Sequence, residues 1–191
     1  MNEHTPTTTQ TMDDVELPAP GTWRLDPGHA DVGFVGRHFM LTKIRGRFVD
    51  VDALLEIAEK PEDSHLEATI QMASVDSGDA TRDQHLRSAD LFDVERHPVA
   101  AFESTRISWN GQSGSMTGDL TIKDITRSVT LDVTLLGVVT DPWDNQRAVF
   151  DARGRINRED WDITWNMLLG SGRLLVSNEI DLVFHVELIR Q

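Results

Sequence analysis

The sequence predicts an all-β protein, an antiparallel barrel with an apolar interior and one short inserted helix. Three observations point there. Apolar and polar residues alternate along about eight stretches, the period of a strand with one buried face. Turn-forming residues separate these stretches. Two of the stretches, near 43–58 and 126–142, are long. One-faced strands in antiparallel order build a sandwich or an up-and-down barrel. Long, strongly alternating strands favour the barrel, whose interior can hold a ligand.

The elements follow in order. Residues 1–20 are rich in Thr, Pro and acid, with little to bury, and predict a disordered acidic tail ahead of a single domain spanning 21–191. In "VGFVGRH", Val32, Phe34 and His38 share one face and Arg37 points to the other, outer one. A long strand is expected near 43–58. In "HLEATIQM", Leu66, Ala68, Ile70 and Met72 oppose Glu67, Thr69 and Gln71.

The segment 81–92 breaks the pattern. At the helical period of about 100° per residue, Arg82, His85, Leu86, Ala89 and Phe92 fall within about 120° of arc. Thr81 and Gln84 fit a capping box, Asp83 and Arg87 fit an i,i+4 surface pair, and Pro98 bars further helix. Strands resume near 99–109 and 114–123, joined by "WNGQSG", whose Asn-Gly is a strong hairpin signal. Val129, Leu131, Val133 and Leu135 alternate with Thr130, Asp132 and Thr134. "DPWDN" at 141–145 is a turn, a strand is expected near 147–157, and Ile180, Leu182, Phe184 and Val186 share a face in the last one.

Bulk composition excludes several functions. The 191 residues carry a formal net charge of −14, the wrong balance for neutralising nucleic-acid phosphates and a poor one for an anionic membrane. No apolar run approaches the ~18 residues of a membrane-spanning helix, so stable membrane insertion is not expected. With no cysteine, thiolate catalysis, disulfides and Cys-based metal sites are absent. The N-terminus shows neither the basic nor the apolar region of a secretory signal, so a cytoplasmic protein is expected. There is no G-x-S-x-G, H-E-x-x-H or Walker loop, and "GQSGSMTG" lacks the helix and Lys of a phosphate cradle. No catalytic residue, cofactor or metal ligand is assigned, although a His-plus-carboxylate site built from distant strands stays open.

Five stretches carry a resemblance. "LDPGHADVGFVGRHFMLTKIRGRF", "RDQHLRSADLFDVERHPVAAFES", "GDLTIKDITRSVTL", "DPWDNQRAVFDARGRINREDWDITWN" and "VSNEIDLVFHVEL" together, in order from about Trp23 to the C-terminus, resemble the YceI-like polyisoprenoid-binding family. The resemblance implies an extended lipocalin-like barrel of eight antiparallel strands whose apolar pocket takes isoprenoid chains, such as polyprenyl pyrophosphates or quinones. It also implies a possible homodimer and no established catalysis. This chain departs from the family pattern where Asp124, Asp144, Asp162 and Val149 stand in place of Gly. Asp is among the few residues that tolerate a left-handed backbone, so the three Asp turns are expected to keep the shape that Gly allows.

The candidate site follows. The expected lining is Val32, Phe34, Phe48, Leu66, Ile70, Phe102, Ile122, Leu131, Val133, Phe150, Leu182 and Phe184. His38, Arg82 and His85 are candidates for a polar head at the mouth, Arg because its planar fork suits phosphate. Each also fits a structural reading: His38 buried and bonded to a backbone carbonyl, Arg82 paired with a carboxylate and His85 satisfying backbone groups, so that helix and barrel are locked together. Trp161 and Trp165 wall the pocket or plug one barrel end. The leading expectation is binding of an isoprenoid lipid or quinone for carriage, storage or shielding. An enzyme using His38, Arg82, Asp83 and His85, and a dimeric scaffold with a filled core, stay open as alternatives.

Overall fold

The computed structural model describes residues 9–12, 15–170 and 174–191. In chain order the strands are β1 (Thr9–Met12), β2 (Val15–Pro18), β3 (Gly21–His38), β4 (Thr42–Phe48), β5 (Val51–Ile57), β6 (His65–Gln71) and β7 (Val75–Asp76). Helix α1 (Ala80–Arg87) follows, then β8 (Val99–Asn110), β9 (Ser113–Ile122), β10 (Ile125–Thr140), β11 (Gln146–Asn157) and β12 (Glu179–Arg190). β1 and β2 pair with each other, and the other strands form one antiparallel sheet.

That sheet closes on itself, because β12 pairs with β11 on one side and β3 on the other. The long strand expected near 43–58 is interrupted, yet both halves pair with β3: Phe48 opposes Val32 and Ile57 opposes Gly21. The break falls at Val49 and Asp50, whose amides turn away to Ser74 O and Ser74 Oγ. Counting β4–β5 as one strand gives the expected ring of eight. Bulges between Ser104 and Arg106, Leu135 and Gly137, and Val186 and Leu188 supply the bending that closure demands. The hairpin at 110–113 turns one residue later than Asn-Gly predicts. Its central pair is Gly111–Gln112, with Gly111 at φ 56°, as a type II′ turn requires.

Two findings correct the expectation of an unstructured tail. β1 and β2 form a hairpin, and Leu17 and Ala19 are 3% and 1% exposed. Ala19 O accepts a hydrogen bond from Nε1 of Trp23, itself fully buried, so this segment covers one end of the barrel. The rest of the tail expectation lies outside the described residues. At the same end the Arg147 guanidinium meets Asp26 at 2.6 Å, Asp141 at 2.8 Å and Glu187 at 3.1 Å. These ion pairs tie β3, the 141–145 turn and β12 to β11. Asp26 is held below the usual carboxylate range, chiefly by the hydrogen bond from Arg147.

The inserted helix is shorter than 81–92, and its polar residues do different work from that predicted. Asp79, not Thr81, caps it, accepting from the Arg82 amide at 2.9 Å. It ends at Arg87 because Ser88 turns extended and 88–97 run as consecutive turns. Asp83 and Arg87 are not surface partners. Asp83 is 7% exposed and accepts from the amide and hydroxyl of Ser77. Arg87 donates to the carbonyls of Ala73 and Val75 at 2.7 and 2.6 Å. Both bind the backbone just before the helix and so fix it to the sheet through β7.

The three Asp turns behave as the backbone argument requires. Asp124, Asp144 and Asp162 have φ of 61°, 70° and 55°. Val149 lies inside β11 opposite Gly137, away from any turn. Asp144 is exposed and tests the point cleanly. We expect Asp144→Ala to cost about 1 kcal/mol in urea unfolding, the penalty of a Cβ in a left-handed backbone without local polar help. Asp144→Gly should be neutral or better. Equal losses in both variants would refute the turn argument.

Candidate ligand-binding cavity

The barrel interior is a cavity of about 540 Å³. Its walls come from the inward positions of the alternating strands. All twelve residues expected to line it do so: Val32, Phe34, Phe48, Leu66, Ile70, Phe102, Ile122, Leu131, Val133, Phe150, Leu182 and Phe184. Most of the aromatic ones are half-buried because one face looks into the lumen rather than into packed neighbours. Glycines help to keep the space open. A Cβ on Gly46 or Gly118 would overlap the rings of Phe34 or Phe102, which lie back against the wall over them. Leu25, Leu55, Met116 and Leu188 extend the lining toward the Trp23 end.

Polar side chains gather at the other end. His38, Ser77, Arg82, His85 and Arg158 all line the cavity there, and no Asp or Glu does. α1, the end of β3 and the segment after β11 bring them together. Arg82 donates from Nε to Ser77 Oγ at 2.8 Å and from Nη2 to Ser77 O at 2.7 Å. His85 Nε2 lies 3.2 Å from Asp90 Oδ2, and its ring meets Trp165 edge-on with centroids 4.4 Å apart. His38 packs on Phe39 at 3.9 Å and forms a strand bridge with Val176. Arg82 and His85 are thus fixed by protein partners and still face the cavity.

The tryptophans part company. Trp161 is 2% exposed, donates Nε1 to Leu120 O at 3.0 Å and packs in the core with Ile163, so it plugs. Trp165 walls the cavity. Arg158, in a 3-10 turn (Arg158–Trp161), escaped the sequence reading because its strand end and acidic neighbours suggest a solvated side chain. It is 5% exposed instead. Its guanidinium donates to Ser177 O at 3.1 Å, Asn178 Oδ1 at 3.3 Å and Ile163 O. All three partners are neutral, and burial pushes its pKa down.

The four residues that an enzyme would first use make no hydrogen bond to one another. Asp83 and Arg82 meet only through Ser77, His85 turns to Asp90, and His38 stacks on Phe39. Among the described residues two clusters have the composition of a metal site, and neither faces the cavity. Asp26, His29 and Glu187 surround the Arg147 guanidinium, which already supplies the positive charge. His65, Glu67 and Glu103 lie on the outer face of β6 and β8. His97 packs its Nδ1 3.0 Å from Asp124 Oδ2.

Comparison with known proteins agrees with this architecture. The YceI-like domain family matches residues 23–188. The chain belongs to the YceI-like family. A UPF0312 protein of Pectobacterium carotovorum is 39% identical over 164 residues, 85% of this chain and 82% of its own. Among solved YceI-like neighbours, Burkholderia cenocepacia BcnA superposes with a TM-score of 0.74 at 25% identity, covering 85% of this chain and 98% of that one. A polyisoprenoid binding domain from Saccharophagus degradans, implicated in plant cell wall breakdown, shares the fold at a TM-score of 0.65 and 11% identity. It covers 91% of this chain and 100% of that one. In family and in architecture the chain is therefore a YceI-like barrel.

Proposed function

We propose that the protein binds one long isoprenoid-type lipid, a polyprenyl pyrophosphate or an isoprenoid quinone, for carriage, storage or shielding. The observation that carries this reading is the polarity gradient along the cavity. An apolar lumen of about 540 Å³ ends in His38, Ser77, Arg82 and His85. The tail lies along the barrel and the head at that end. Burial of apolar surface, at about 25 cal/mol per Å², drives binding, less the cost of ordering a flexible chain. Arg82 has one guanidinium nitrogen, Nη1, beyond those given to Ser77, and it suits a phosphate or carbonyl oxygen. The Saccharophagus domain, which shares this fold, supports the ligand class.

Native mass spectrometry after mild purification tests the reading. A co-purifying lipid, or uptake of an added isoprenoid quinone or polyprenyl phosphate, is the expected result. An empty protein that takes up neither would sink it. Arg82→Gln should weaken the phosphate-headed lipid more than the quinone.

A further inference from the structure

At the polar end of the barrel the β3–β4 hairpin is built against its own backbone preferences. Phe39 and Met40 both have positive φ, 53° and 61°, and the Leu41 amide donates to His38 O at 3.0 Å. Two left-handed residues in succession make a type I′ turn, which favours Asn-Gly. Bulky apolar residues there are outliers that carry strain, and such strain collects at functional sites. Their side chains stay exposed for apolar residues: Phe39, Met40 and Leu41 are 42%, 45% and 71% exposed.

A second loop stands beside them. Met167 and Leu168 are 54% and 73% exposed. The Phe39 amide donates to Leu175 O at 2.8 Å and the Leu175 amide to Met167 O at 2.9 Å, so the two loops form one tip. His38, Trp165, Leu175 and Val176 connect it to the cavity, which all four line.

Charge singles out the same place. Residues 32–49 contain Arg37, Lys43, Arg45 and Arg47, and none of the chain's 32 acids. Residues 163–178 contain no acid either. Arg37 and Lys43 are directly paired across the hairpin, and Arg45 lies two residues further along the same outer face. On the β12 side, Glu179 and Asp181 share a groove with Arg37 and Met40 but are paired with Arg155. An exposed apolar tip flanked by cations along β3 and β4 is the pattern of a segment that enters the interface of an anionic bilayer. The net charge of −14 opposes any other approach to such a surface and so selects the orientation.

We propose that this tip docks the protein on an anionic membrane, with Phe39, Met40, Leu41, Met167 and Leu168 in the acyl boundary and Arg37, Lys43 and Arg45 on the headgroups. Docking sets the polar end of the cavity against the bilayer, where a lipid can pass between the two. The membrane role rests on the lipid-binding reading above, but the two are tested separately.

Co-sedimentation with vesicles of phosphatidylglycerol and phosphatidylcholine, against phosphatidylcholine alone, tests the tip. Wild type should bind the mixed vesicles and lose binding as salt is raised. Leu41→Asp with Leu168→Asp should weaken binding at least about tenfold, since each change puts a charge at the acyl boundary. Lys43→Glu with Arg45→Glu should abolish the preference for the anionic lipid. Phe39→Asn with Met40→Gly relieves the turn and keeps the fold while removing two apolar groups, so it too should bind more weakly. Trp143→Ser, which alters an exposed residue at the opposite end, should bind like wild type. Uptake of lipid delivered in detergent should be unchanged in the tip variants, and its failure in wild type would count against the cavity reading alone. Wild type that ignores both vesicles overturns the docking proposal, as does undiminished binding by the tip variants. A concentration-dependent dimer lost in Leu41→Asp/Leu168→Asp, with no vesicle binding, would overturn it in favour of a second copy on the tip.

Discussion

Tryptophans at Ala68 and Ala152 will close the lumen and weaken lipid uptake about 200-fold. Both residues line the cavity, and β6 and β11 stand four apart around the ring of eight, so the two indoles enter from opposite walls. If they displace the equivalent of roughly four methylenes of ligand at ~0.8 kcal/mol each, about 3 kcal/mol of binding is lost. The fold should survive, because the indoles occupy existing space instead of forcing apart packed neighbours. Thr69→Trp is the control: one residue along β6, it points outward and is exposed. Titration of a fluorescent isoprenoid quinone, with urea unfolding of each variant, reads the result. Undiminished uptake by the double variant would remove the lumen from the binding site.

Arg158→Met will destabilise the protein by about 3 kcal/mol, a large share of a typical 5–15 kcal/mol. The change strands two buried acceptors, Ser177 O and Ile163 O, each costing about 1–3 kcal/mol when left unpaired, and the half-buried Asn178 Oδ1. Removing a desolvated charge offsets part of that sum. Lys at this position should rescue little, because one ammonium cannot reproduce a planar fork with three directed bonds. Arg155→Met supplies the contrast. Arg155 is 59% exposed and pairs with Asp181 and Glu179 in solvent, so its loss should cost far less. Urea midpoints of the three variants decide the matter, and equal losses for Arg158→Met and Arg155→Met would contradict the buried-acceptor account.

The difference between these two arginines marks how much of the protein was legible in its sequence. Which residues face the lumen is a local and periodic property. Alternation therefore identified all twelve expected lining residues, from Val32 to Phe184, without knowledge of their neighbours. The partners of a charged group are neither local nor periodic. Asp83 and Arg87 look like a surface pair on a helical wheel, yet their partners, Ser77, Ala73 and Val75, lie on the irregular segment around β7, whose path back along the helix no periodicity shows. Arg158 went unnoticed for the same reason. The Asp turns lie between these cases. Their left-handed backbone was readable from the resemblance, because the family pattern has Gly at those positions, and the φ values agree. Leu17 and Ala19 were missed because two apolar residues in a Thr- and Pro-rich stretch carry no periodic signal, though both are buried at the barrel end.

Closure by β12 on β3 also governs when this molecule can exist during its own synthesis. Asp181 pairs with Val35 and Arg190 with Trp23, so the seam joins the two extremes of the chain. Until the last strand leaves the ribosome, β3 and β11 remain open edges, available to other chains. Pairing across such sequence separations makes for slow folding. A nascent barrel therefore has no lumen to load. Any lipid must enter once β12 has closed the ring, and a truncation that removes only β12 would yield an aggregating sheet rather than a weaker binder.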